Sequence, residues 1–220
     1  MTELKQSILG LELHSLGGIK IVVAAFGILC GLTGMIAGIF EILQGNVATS
    51  GFEISTIGST YTMAEDFTYH AITLIPNFLM TGILAIIASC LVLIWSVKFV
   101  ERKYGVLTLF ILCISQVLVG GAWVIDIAVI TCLLATRISK PLNWWQSHLT
   151  GKVQNGFVKL FPFSLVVYVI ISGSMLVLTI FGVNSIVLIN LLSPLATAMF
   201  IPILLMIIGG LSIDIEKQMQ

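Results

Sequence analysis

Apolar and polar residues alternate along this chain in long blocks. Ile19 to Leu43 is a nearly unbroken apolar run, more than the ~20 residues a helix needs to cross a bilayer. It is too long for a signal-peptide core, and it ends in Glu41-Ile42-Leu43-Gln44 with no small-residue cleavage site. A polar stretch rich in Ser, Thr and Gly, residues 44–71, follows. Apolar residues return over 72–97, with Pro76 near the start, where a missing N–H costs least.

The block from Glu101 to Arg137 would be about 55 Å long as one helix, against a ~30 Å hydrocarbon core. Gly120-Gly121 at its middle is turn punctuation, so the block reads as two spans, 101–119 and 122–138, joined by a tight Gly-Gly hairpin. Further spans are expected at 163–181 and at 186–211. The last is interrupted by Pro194 and Pro202, so it is either kinked or begins near Pro194. The expected fold is an all-α integral membrane protein: one transmembrane domain over 1–220, built as a six-helix bundle.

Charge placement sets the orientation. With six spans and the amino terminus inside, every Lys and Arg falls on the inner side: Lys5, Lys20, Lys98, Arg102, Lys103, Arg137, Lys140, Lys152, Lys159 and Lys217. Glu41, Glu53, Glu65, Asp66 and Asp126 fall outside, giving net +5 inside and −5 outside. The positive-inside rule asks for this bias, and both termini are expected inside. Reading 101–137 as a single span would put four of the cations outside.

Composition agrees. Hydrophobic residues make up 58% of the 220, charged residues only 9%, and mean hydropathy is +1.13. Soluble domains carry about 25% charged residues, which excludes a soluble globule, a disordered chain and a nucleic-acid binder. The expected location is a cell membrane, crossed several times. The inner segment 139–162 holds Trp144 and Trp145 beside Lys152 and Lys159, a pattern suited to a short helix in the headgroup layer.

Several chemistries drop out. Cys30, Cys90, Cys113 and Cys132 all fall inside spans and form no Cys-x-x-Cys, which disfavours a thiol–disulfide oxidoreductase. The histidines lie outside the spans or at their boundary, which disfavours a transmembrane haem. No phosphate-binding loop, serine-hydrolase elbow or zinc-protease pattern is present.

The first span carries the most informative spacing. Ala24, Gly27, Gly31, Gly34, Gly38, Glu41 and Gly45 recur every three or four residues, so they share one helix face. Small residues there let a second backbone approach closely, whether from this chain, a second copy or another membrane partner. Glu41 continues the stripe and should point at a neighbouring helix.

Ionisable residues within spans are costly and are candidates for function. Glu41 and Asp126 are the charged elements expected near the outer face, with His70 and Gln116 assisting. Asp66 lies four residues before His70, and Gln44, Asn46 and Asn77 add polar groups at similar depth. Such a set could hold a cation, relay protons or bind a cationic substrate. The loop 44–71 is long enough to form a lid over it. The leading expectation is therefore a membrane protein that binds or transports a small molecule or ion through a polar site open to the outer face. A membrane enzyme acting on a lipid or isoprenoid at the outer leaflet is the alternative, as is an accessory subunit docking through its glycine face.

Overall fold

A computed structural model of the chain describes residues 17–49, 51–57, 69–121, 125–138, 142–148, 151–181 and 185–219. Among these the chain is mostly helical, and four helices are long and apolar enough to cross a membrane. The elements in order are α1 (Gly18–Leu43), β1 (Glu53–Ile57), β2 (Tyr69–Ile72), α2 (Phe78–Lys98), α3 (Gly105–Leu118), α4 (Ile125–Ala135), α5 (Asn143–His148), α6 (Gly151–Phe181) and α7 (Ser185–Met219).

α1 is the centre of the bundle. Its residues Ile19, Val23 and Cys30 pack with Val92, Leu109 and Cys113 in one core cluster, which also takes in Ala128 and Cys132 of α4 and Leu211 and Ile215 of α7. On its other side Val22, Phe26 and Leu29 pack with Phe161, Tyr168 and Met206. The Phe26 and Tyr168 rings meet edge to face at 5.2 Å. α1 thus lies between an α2–α3–α4 group and the α6–α7 pair.

The glycine stripe of α1 is filled by helices of the same chain. A Cβ on Gly31 would lie 2.8 Å from the Leu93 Cβ and 2.9 Å from the Ser89 carbonyl oxygen, and one on Gly38 would lie 2.7 Å from the Gly82 carbonyl oxygen. α1 and α2 therefore touch backbone to backbone, as small residues permit and a branched side chain would prevent. At the start of α1, Gly18 meets Gly210 of α7 in the same way. The Asp214 carboxylate accepts the Gly18 N–H at 2.6 Å and the Ile19 N–H at 3.1 Å, supplying partners to first-turn donors that no helix satisfies internally. Lys20 pairs with Glu101 at 2.6 Å beside it.

Element boundaries depart from the sequence reading in four places. The apolar run from Ile72 is helical only from Phe78, because Pro76 and Asn77 close off the preceding residues. The Asn77 side chain caps α2 by accepting the Met80 N–H at 3.1 Å. Ile72 to Leu74 runs extended instead.

The two expected spans 101–119 and 122–138 are the short helices α3 and α4, of 14 and 11 residues. At 1.5 Å per residue they reach about 21 and 17 Å, less than a ~30 Å core. Their connection does turn at Gly120, whose φ of 87° favours glycine.

The span expected at 163–181 begins earlier, at Gly151, so half of the 139–162 segment read as interfacial belongs to α6, and Asn143–His148 forms a separate short helix. One face of this extension carries exposed Lys152 and Lys159, while Gln154 on the other donates to the Ser212 carbonyl at 3.1 Å. Packing against α7 holds the helix through Pro162. α7 likewise runs through Pro194 and Pro202 and on to Met219, so neither proline begins it. In membrane helices, neighbouring groups offset the lost N–H.

Lastly, the 44–71 loop is not wholly irregular. β1 and β2 form an antiparallel ribbon with Ile54 opposite Ala71, and a register shift between Ser55 and Ile57. Ile54 and Ala71 are buried, and the ribbon lies against the Leu43 end of α1.

Candidate functional site around Glu41

The last turns of α1 place Glu41 on the packed face, four residues before the chain leaves the helix at Gly45, which has a φ of 83°. The residue is fully buried, at 0% exposure, and among the described residues neither carboxyl oxygen has a hydrogen-bond partner. What faces it is backbone. A Cβ built on Gly120 would lie 2.8 Å from Oε2 of Glu41 and closer still to Oε1, so only a glycine at the α3–α4 turn leaves room for the carboxyl group.

The turn itself is held from two directions. Gly121 N–H donates to the Gln116 carbonyl at 2.7 Å, and Gly120 N–H donates to the Ile72 carbonyl at 2.9 Å. Leu74 N–H reaches Leu118 at 2.9 Å, so the extended 72–74 strip is laced onto the end of α3. Beneath it, the buried hydroxyls of Thr73 and Thr81 hydrogen-bond to each other, and Thr81 donates to the Val119 carbonyl at 3.0 Å.

Further along α1, Gln116 is buried and well partnered. Its Nε2 donates to the Cys30 carbonyl at 2.9 Å and to Gly121 at 3.2 Å, and its Oε1 accepts from the Cys30 thiol at 3.5 Å. The absence of a side chain at Gly34 is what admits Gln116 Nε2 and Ser89 Oγ to the surface of α1. The Ser89 hydroxyl is also buried, with no partner among the described residues.

The other expected site residues fall in several places. Gln44 is the residue after α1, and its backbone N–H bonds the Glu41 carbonyl at 3.1 Å. Asn77 serves as the α2 cap and donates to Asn46 at 2.7 Å, away from the buried carboxyl. Asp126 lies in the first turn of α4, and His70 in β2 pairs with Ser55. The side chains of both, and the whole of Asp66, lie outside the described residues. Gln116 is therefore the expected partner that the structure brings to the α3–α4 turn beside Glu41.

Sequence reasoning passed over Ser89, Thr73 and Thr81. Ser89 had a usable signal: a hydroxyl on a helix that must meet the glycine face. The threonines had none, because they lie in a run that reads as apolar span.

Among the described residues no Lys or Arg pairs with Glu41. The sequence has no Lys or Arg between Lys20 and Lys98, nor between Lys103 and Arg137. Among the described residues no group of three His, Cys, Asp or Glu is placed to hold a metal ion. Comparison with known proteins finds no matching family model, no similar curated protein and no similar solved structure.

Proposed function

We propose that the protein moves or binds a small ion, a proton in the simplest case, through a site centred on Glu41 and reached from the Leu43 end of α1. The observation that carries this reading is the carboxyl itself: buried, unpartnered among the described residues, and on a helix whose single Lys or Arg is Lys20 at the opposite end. A charged carboxylate there costs several kcal/mol unless something neutralises it. Among the described residues none of the protein's cations does, so in this reading the neutralising proton or cation comes from solution. The facing turn presents glycine backbone to the carboxyl and no side chain at Gly120, which suits a group that must be loaded and released. Asp126, on the first turn of α4, is the second carboxyl of the site in this reading, and Ser89 and Gln116 are its uncharged polar groups.

The proposed orientation keeps both ends of the described chain, residues 98–104 and residues 138–151 inside, with the ribbon outside, in a cell membrane. The shortness of α3 and α4 does not disturb this. A hairpin that crosses fully and one that enters and leaves on the same side both return the chain to where it started. The charge asymmetry supports either.

Reconstitution into liposomes holding a pH-sensitive dye tests the function. With an imposed proton gradient, the wild-type protein should collapse it faster than empty vesicles do. Glu41→Gln should fall to the empty-vesicle rate while remaining folded, since glutamine keeps the size. Equal rates for wild type and Glu41→Gln would overturn the assignment.

A further inference from the structure

The α3–α4 pair carries a second feature, independent of Glu41. The two helices splay apart and leave a groove on the side of the bundle. Near the α3–α4 turn it is a wholly apolar crevice of about 130 Å³, lined by Ile114, Val117, Leu118 and Ala128 among others. Through Phe110, Val129 and Cys132, which line both parts, it continues into a wider compartment of about 520 Å³. That compartment ends at Arg102, Lys103 and Tyr104, just before α3 begins.

Hydrocarbon walls at one end and two cations at the other describe an amphipathic occupant. The cations are available. Glu101 beside them is paired with Lys20, and among the described residues no carboxylate lies within ion-pair reach of Arg102 or Lys103. The Arg102 guanidinium stacks 4.4 Å over the Phe99 ring, which holds it at the rim with its N–H edges free to bind. The groove follows α3 for about 21 Å, room for much of an acyl chain within one leaflet. A second protein helix is a poorer match, since it would need its acidic residues placed at one end only and would meet no small-residue face here.

We infer that the α3–α4 groove binds one anionic phospholipid, with an acyl chain between Phe110 and Val129 and its phosphate against Arg102 and Lys103. Basic residues at this end also fit the proposed orientation, because anionic lipid is concentrated in the cytoplasmic leaflet.

Native mass spectrometry of the detergent-solubilised protein, titrated with phosphatidylglycerol or phosphatidylcholine of the same chains, tests this. The wild type should retain one phosphatidylglycerol about tenfold more strongly than phosphatidylcholine, given two basic side chains at the headgroup. Arg102→Gln with Lys103→Gln should erase that preference. Val129→Trp, at a half-exposed position that can take a larger ring without disturbing the core, should lower retention of both lipids. Lys152→Gln with Lys159→Gln, on the exposed face of α6, should change nothing. Equal retention of the two lipids by wild type, or an equal loss in the α6 variant, would overturn the site. So would unchanged retention in Arg102→Gln with Lys103→Gln or in Val129→Trp.

Discussion

The two ends of α1 each meet a carboxyl group against glycine, and they treat it in opposite ways. At the first turn, Asp214 of α7 accepts two backbone N–H groups that the helix leaves open, with Gly18 and Gly210 in backbone contact beside it. Near the last turn, Glu41 presses against Gly120, and among the described residues neither oxygen has a donor. One carboxyl is a fastening; the other is a group kept dry without compensation. Helix polarity accounts for part of the difference. A helix start offers N–H donors and positive potential to an acid, whereas a helix end offers only carbonyl oxygens. An acid in the last turn of α1 is on the wrong end to be stabilised by its own helix. Its position therefore asks for a reason beyond stability.

Three substitutions would break or sharpen this contrast, and thermal unfolding in detergent reads all of them. Gly120→Ala should have the largest effect, a loss of about 2–4 kcal/mol, because a side chain there is strained at positive φ and collides with the Glu41 carboxyl. Combining it with Glu41→Ala should recover the collision part and leave the backbone part. Strict additivity of the two would show that the carboxyl does not rest on Gly120. Asp214→Ala should cost about 2 kcal/mol, as loss of a helix cap does, with Asp214→Asn retaining part of it. An unchanged melting temperature for Asp214→Ala would mean that water serves those N–H groups equally well. Glu41→Leu should have the smallest effect and the opposite sign, neutral to about 1 kcal/mol stabilising, since no hydrogen bond is lost and an apolar group replaces a dry polar one. A clear destabilisation by Glu41→Leu would reveal a partner and make the two ends alike.

Much of the fold is legible in the sequence because bilayer crossing is written in local composition. The run from Ile19 to Leu43 differs from α1 by one residue, and the three-and-four spacing of Gly27, Gly31, Gly34 and Gly38 marks the side on which α2 lies. The Gly120-Gly121 turn is equally readable. Prolines are harder to read. Pro194 and Pro202 leave open a kinked span or one that begins near Pro194, yet both lie inside a single helix packed against α6, which no local pattern reports. At the site, the burial of Glu41 follows from its place in the glycine stripe. Its isolation does not, because having no partner is a property of every neighbouring element at once. Asp214 was beyond reach for the same reason: its acceptors and the donors of Gly18 are 196 residues apart.

That separation also orders the assembly of the protein. During synthesis α1 and α2 can pair early, since they are consecutive long helices joined through the ribbon segment. Gly18 and Ile19 must then wait for Asp214, which emerges after nearly all the rest of the chain. Until it arrives, the first turn of α1 has no fastening from α7, and the core between Phe26 and Met206 is open on one side. Closing so distant a contact is slow compared with pairing neighbours. The nascent protein therefore passes through a stage in which its central helix is inserted but only half enclosed, with the apolar face that α6 and α7 will cover still lying against lipid.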